Sequence, residues 1–413
     1  MSVTEERVEG VAPGGDGALD GVRVLELGQM LAGPFAGHML ADLGAEVIKV
    51  EQPGHGDPMR VWGHVRYNDR ALWWPSLARN KKCISLNLRT TEGQELLKRL
   101  AAESDVVIEN FRPGALEKWG VGPDVLWELN PGLVIGRVSG YGQTGPYADR
   151  VGFASGGEAM GGLRHLNGYP DQPPPRSGIS LGDSLAGMFV VQGVLAALYR
   201  RDVNGCPGQV VDASILESCF ALLEGTLTEY DKLGVIRGPS GTALQNVAPS
   251  NIYRSSDGKW MVIAANADTL FGRLCLAIGQ PGLASDPRFV THAARGDNAD
   301  ELDRLISEWA ALHEAREIDR LLTSDGVVVS AIYDIADIAA DPHFHERDMI
   351  LRVHDPELGE LAVPGFVPKL TGTPGTHRWT GPADVGEHNA MVYGDLLGLG
   401  ADDLEQLAAR GVI

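Results

Sequence analysis

Val22-Arg-Val-Leu-Glu-Leu-Gly28, Pro34-Phe-Ala-Gly-His-Met-Leu-Ala-Asp-Leu43 and Ala45-Glu-Val-Ile-Lys-Val-Glu51 decide the fold of this chain. The first run is β-branched and leucine-rich and stops at a glycine, which reads as a strand. The second has Pro34 at an early helical position and Gly44 as its stop, which reads as a helix. The third is another strand. Strand, helix, strand within thirty residues is a βαβ unit, and such units make parallel sheets. The pattern then recurs. Thr91 and Gln94 have the spacing of a capping box for a helix through Ala102, with Leu97, Leu100 and Ala101 on one face. Asp105-Val-Val-Ile-Glu109 and Leu133-Val-Ile-Gly-Arg-Val138 are short apolar strands. Continuous apolar strands imply helices on both faces, so the fold class is α/β, Rossmann-like, with a mainly parallel sheet.

Further along, the pattern predicts a helix from Ser184 to about Arg201, a strand at Gln209–Ala213 and a helix from Ile215 to Leu233. A loop rich in Gly, Pro, Ser and Asn follows from Gly234 to Asn251. Trp260–Ala265 reads as a strand, Leu302–Leu312 and Ala315–Leu322 as helices, and Leu361–Val363 as a strand before a final helix. The expected organisation is a large domain of residues 19–224 and 336–413, interrupted by a smaller α+β domain at 225–335. Residues 1–18 are polar and glycine-rich, lack the apolar centre of a signal peptide, and are expected to be a disordered tail.

The net charge of −20 repels nucleic acid and anionic membranes, so neither is an expected partner. Any anionic ligand must be held by local Lys and Arg. The four cysteines, Cys83, Cys206, Cys219 and Cys275, form no C-x-x-C pair and lie at no zinc spacing. Reduced thiols and a cytoplasmic location are expected. No stretch of about 18 consecutive apolar residues is present to span a membrane. There is no P-loop, G-x-G-x-x-G fingerprint, G-x-S-x-G elbow or H-E-x-x-H motif. His343 and His345, between Asp341 and Glu346, read as a solvated loop, and no metal is expected.

Asp183 stands in Gly178-Ile-Ser-Leu-Gly-Asp-Ser-Leu-Ala-Gly187 at the start of the long helix. Taken alone it reads as an N-cap. The same geometry also suits a carboxylate nucleophile, because a helix N-terminus favours the anion and Gly182 and Gly187 leave room for a bulky substrate. Around it stand Leu31-Ala-Gly-Pro34, Asn80-Lys-Lys82, Ser85-Leu-Asn-Leu88, Glu109-Asn-Phe-Arg-Pro-Gly114 and Ser139-Gly-Tyr-Gly-Gln-Thr-Gly-Pro146. Gly205-Cys-Pro-Gly-Gln-Val-Val-Asp-Ala-Ser214, Asp286-Pro-Arg-Phe289 and Gly386-Glu-His-Asn389 follow. In this order and density the chain resembles the class III (CaiB/BaiF-type) coenzyme A-transferases.

The resemblance implies an enzyme that moves coenzyme A between carboxylic acids, with acyl-CoA as substrate and no permanently bound cofactor. It implies that Asp183 is the nucleophile, passing through a mixed anhydride and an aspartyl-CoA thioester. It places Gln29, Leu31, Arg60, Asn80, Arg112, Lys118, Ser139 and Tyr141 along the coenzyme A site, with Ser139 where the formyl-CoA transferase version has Lys. Arg164-His-Leu-Asn-Gly-Tyr169 and Pro173-Pro-Pro-Arg-Ser-Gly178 resemble the succinyl-CoA-dependent dicarboxylate branch, whose acceptors include malate, citramalate and glutarate. Arg164, Arg176 or Arg150 would then pair with a second carboxylate. The related racemases carry a Gly-His-Asp stretch where Phe153 and Ala154 stand here, which leaves two-base proton exchange without its bases. A racemase, a hydrolase and an acyl-CoA-binding protein are the alternatives. An interlocked homodimer is expected from the same resemblance.

Overall fold

The structure is a computed structural model that describes residues 17–243 and 247–413. Most of the expected 1–18 tail therefore lies outside the described residues. The chain divides into two compact units. One comprises residues up to 163, 177–224 and 345–413; the other comprises 164–176 and 225–344. The second unit thus takes in 164–176, a segment that the sequence pattern assigns to the large domain.

The larger unit is built on six strands: β1 (Arg23–Glu26), β2 (Glu46–Glu51), β3 (Lys81–Ser85), β4 (Val106–Glu109), β5 (Val134–Ser139) and β6 (Val210–Ser214). Every pairing is parallel and the order is β3-β2-β1-β4-β5-β6. This is the doubly wound order, with its topological switch point between β1 and β4. Adjacent residues of β1 show how one strand serves two cores. Leu25 joins a core on one face with Ile48, Ile84, Leu97 and Leu100. Val24 joins the core on the other face with Val47, Leu40, Val106 and Val190. The side-chain period of two sends neighbours to opposite faces, and each buried aliphatic side chain stabilises the sheet by about 1.5–3 kcal/mol.

Helix α1 (Ala32–Asp42) and the 24-residue α4 (Leu181–Asn204) cover one face; α2 (Thr91–Ala102) covers the other. Between α2 and α4 in the chain lies the short α3 (Ala154–Met160), and α5 (Ile215–Phe220) follows β6. The cap of α2 is Thr90, whose hydroxyl accepts from Gly93 N, while Gln94 Nε2 donates to Leu88 O. The expected capping box at Thr91 and Gln94 is therefore not formed. The expected helix Ile215–Leu233 is broken, because Glu224 takes a left-handed φ of 51° and Gly225 caps a separate helix, Thr226–Leu233. By length and mean hydropathy α4 could cross a membrane, although Asp183 and Gln192 interrupt its apolar run. Here Ala186, Val190 and Val194 are buried against the sheet. The C-terminal helices Asn389–Leu397 and Ala401–Ala409 return to the α2 face, where Tyr393 Oη donates to Ser85 O and Asn87 N to Val412 O, both at 2.8 Å.

The smaller unit holds an antiparallel sheet of Val328–Ala331, Trp260–Ala264 and Ser250–Arg254, in that order. Its own core includes Tyr253, Met261, Ile263, Leu302 and Ile318.

Candidate functional site

Ligands of doubly wound sheets bind outside the carboxyl ends of the strands, at the switch point. A cavity of about 340 Å³ lies there. Its walls come from Gln29 after β1, Gln52 after β2, Arg89 after β3, and Phe111, Arg112 and Trp119 after β4. Phe111 and Trp119 meet edge to face at 5.1 Å and give it an aromatic wall. Among the described residues neither Arg89 nor Arg112 takes part in an ion pair, and both are exposed. In a chain of net charge −20 these guanidiniums put positive charge at the mouth of the cavity, where an anionic group can be met bidentately.

The β1–α1 loop that carries Gln29 is held from two sides. Asn110, at the end of β4, accepts from Gln29 N and donates to Gln29 O, both at 2.8 Å. Asp57 Oδ1 accepts from Met30 N at 3.1 Å and from Met59 N at 2.9 Å. Met30 has a φ of 65°, a left-handed conformation uncommon for a non-glycine residue, which such flanking bonds maintain. Asp57 is in turn paired with Lys49 at 2.7 Å, and Lys49 with Glu26 at 2.9 Å, all three buried. Burial alone would lower the Lys49 ammonium, but Asp57 and Glu26 outweigh it and hold it above its ordinary value. The same pairing with Lys49 opposes desolvation at Asp57 and keeps that carboxyl below its ordinary value.

Asp183 is half-buried in the first turn of α4. Ser180, not Asp183, is the N-cap, because the helix begins at Leu181. Gly187, one turn on and on the same face, lies against α1: a Cβ there would be 3.0 Å from Ala32 O and 3.0 Å from Phe35 Cδ1. The start of α4 is therefore packed on the start of α1, the far end of the loop whose Gln29 lines the cavity. On its other side, Gly182 admits α3 and α5; a Cβ there would be 2.8 Å from Ile215 Cγ2 and 3.2 Å from Glu158 Cγ. Glu158, buried at 2% exposure, accepts from Gly182 N at 3.1 Å. Nearby, burial, then Glu158 and Asp183, push the Cys219 thiol up to about 11.

The remaining expected residues divide clearly. Leu31 caps α1 without a side-chain bond. Ser139 Oγ accepts from Gly142 N, which shapes the turn after β5. Tyr141 packs against Tyr147, and its hydroxyl lies beside Gly156 of α3. Lys118 is exposed on the turn of helix between Ala115 and Trp119, both of which line the cavity. Arg60 is committed to the fold. It makes a bidentate pair with Glu51, donates to Pro382 O, Ala383 O and Asp384 O, and lies 4.1 Å from the Trp74 ring. Asn80 is likewise tied to Thr376 O and Arg378 N. Arg150 is exposed over the Tyr147 ring at 3.7 Å. Arg164 and Arg176 belong to the smaller unit, where Arg164 donates to Pro174 O. Phe153 is exposed and Ala154 buried, and neither can carry a proton. Arg89 and Glu158 were not anticipated from the sequence. Glu158 had a signal, as the one charged residue in Ala-Ser-Gly-Gly-Glu-Ala-Met. Among the described residues there is no cluster able to hold a metal ion and no disulfide.

Residues 19–389 match the family described as CoA-transferase family III. The chain is 56% identical over 395 residues to the succinyl-CoA–D-citramalate CoA-transferase of Chloroflexus aurantiacus, covering 96% of this chain and 98% of that protein. It is 38% identical to the beta subunit of the succinyl-CoA–L-malate CoA-transferase of the same organism, over 96% and 98% of the two chains. It is 30% identical to the human succinyl-CoA:glutarate CoA-transferase, over 96% and 90%. The crystal structure of a CaiB/BaiF family protein from Brucella suis superposes with a TM-score of 0.81 at 34% identity, covering 92% of this chain and all of that one.

Proposed function

Given that this chain belongs to CoA-transferase family III and is a CoA-transferase, we propose that it moves coenzyme A from succinyl-CoA to a dicarboxylic acid such as citramalate, malate or glutarate, with Asp183 as the covalent relay. The 56% identity to a succinyl-CoA–D-citramalate enzyme over nearly both full lengths carries the substrate assignment and favours citramalate. The relay assignment is supported by the place of Asp183 in the first turn of α4, a helix whose Gly187 packs on the start of α1, where the loop from the cavity ends.

The nucleotide end of the coenzyme occupies the cavity, its phosphates facing Arg89 and Arg112. Its thioester arm follows the β1–α1 loop past Gln29 and Leu31. An Asp183 oxygen forms a bond to the thioester carbonyl carbon, and the carbon–sulfur bond breaks with its electron pair going to sulfur. The thiolate then attacks the Asp183 carboxyl carbon, and the released pair leaves on the donor acid as its carboxylate. The acceptor carboxylate reverses both steps. No proton is consumed, and two moderate barriers replace one direct displacement. Arg164, Arg176 and Arg150 are the candidates for the distal carboxylate of the acids. A homodimer fits the exposed apolar run Val61, Trp62, Val65, Tyr67 and Trp73, each more than half exposed in the single chain.

The test is exchange between succinyl-CoA and a panel of acids, read as new CoA esters by mass, with hydroxylamine trapping of the enzyme. Wild type forms citramalyl-CoA and a hydroxamate at Asp183. Asp183→Ala and Asp183→Asn lose both. Full exchange by either variant overturns the relay.

A further inference from the structure

Glu158 has no part in the steps above, yet its surroundings give it one. It sits on α3, a helix otherwise made of Ala, Ser, Gly and Met, and is 2% exposed. Withdrawing a carboxylate from water costs several kcal/mol unless partners compensate. The bond to it that the geometry defines is the 3.1 Å one from the N–H of Gly182, the residue immediately before Asp183. An ordinary helix start is capped from its own chain by Ser, Thr, Asp or Asn. Ser180 stands at that position in α4 and makes no side-chain cap. The donor is taken instead by a carboxylate brought in from a second helix. Two absent side chains permit this approach. A Cβ on Gly182 would press on Glu158 Cγ and Ile215, and a Cβ on Gly157 would be 2.5 Å from Ile215 Cγ2. The sequence therefore gives up side chains at two places to bring α3, α4 and α5 together at this one peptide.

Resting on the reading of Asp183 as the relay, we propose that Glu158 is its positioning residue. By holding the Gly182 peptide, Glu158 fixes the direction in which the Asp183 side chain leaves the backbone. It also takes a first-turn N–H for which the relay carboxylate would otherwise compete. Such a group acts on the covalent steps and hardly on coenzyme A binding, because the cavity lined by Gln29, Arg89 and Arg112 does not include it.

The experiment compares Glu158→Ala, Glu158→Asp and Glu158→Gln in succinyl-CoA exchange, reading kcat, KM for succinyl-CoA and the yield of hydroxamate at Asp183. A nucleophile displaced by about 1 Å loses on the order of 100-fold in rate. The expected result is a loss of that order in kcat for Glu158→Ala, with KM within threefold and the trapped hydroxamate falling in step. Glu158→Gln keeps an acceptor oxygen in the same place and stays within threefold of wild type. If Glu158→Ala does not fold, Glu158→Asp, whose acceptor is withdrawn by one methylene, carries the test with the same split between kcat and KM. The proposal is overturned if the shortened variants keep wild-type kcat, if they lose KM in place of kcat, or if Glu158→Gln falls as far as Glu158→Ala. The two assignments fail separately. Exchange by Asp183→Asn removes the relay, whereas an inactive Asp183→Asn beside fully active Glu158 variants removes only the positioning role.

Discussion

Replacing Lys49 by Met tests whether the buried ion cluster holds the coenzyme loop. The Lys49 ammonium lies 2.7 Å from Asp57 Oδ2 and 2.9 Å from Glu26 Oε1, and donates to Gly28 O at 2.9 Å. Methionine fills similar volume but leaves the two carboxylates without that cation. Breaking a buried pair costs about 3–5 kcal/mol. Here Glu26 keeps Lys81 at 2.7 Å, and Asp57 keeps the N–H groups of Met30 and Met59, so the expected loss is near the lower end, about 3 kcal/mol. With an m-value of roughly 3 kcal/mol per M for a unit of this size, the urea midpoint followed by tryptophan fluorescence drops by about 1 M. The KM for succinyl-CoA rises as well, because Asp57 holds Met30 in the loop beside Gln29. Lys49→Met combined with Asp57→Asn removes opposite charges together and recovers part of the loss, which a double-mutant cycle measures as coupling. A midpoint within about 0.3 M of wild type, or strict additivity of the two changes, refutes the reasoning.

Arg89→Ala and Arg112→Ala each raise KM for succinyl-CoA about tenfold, the lower end for a charge-assisted contact at an exposed site, with kcat within about twofold; a fall in kcat at unchanged KM would exclude the assigned cavity. His38 provides the pH test: burial first, then the positive charges of Arg79 and Lys81, hold it well below 6.5. The folded chain keeps it neutral while the unfolded chain takes up a proton, so its contribution is whole above about pH 6.5 and is lost as pH falls, at up to about 1.4 kcal/mol per pH unit. Stability measured at pH 6.5 and 5.5 should therefore converge in His38→Gln relative to wild type, and an unchanged difference contradicts this role.

Local pattern made the doubly wound sheet legible. A strand buried on both faces carries consecutive apolar residues, as Val24-Leu25, Val47-Ile48 and Val106–Ile108 do, and its buried charges are paired, as Glu26 is with Lys49. The same patterns placed helix ends only within about three residues, since caps depend on the path of the chain outside the helix. Thr90 replaced Thr91 as cap for that reason, and α4 began at Leu181, which moved Asp183 from the cap into the first turn.

By itself the sequence determined the family, the βαβ framework and the position of Asp183, because each is written in contiguous residues whose spacing is their physics. The tertiary structure decided what the scattered charges do. Arg60 and Asn80 are recognisable polar positions, but their partners lie some 300 residues away at Pro382–Asp384 and Thr376–Arg378, so only the folded chain shows that their donors are already used. Glu158 was hidden for the converse reason. Its partner is a backbone N–H, which has no letter in the sequence, and the approach that joins them depends on the missing side chains at Gly157 and Gly182.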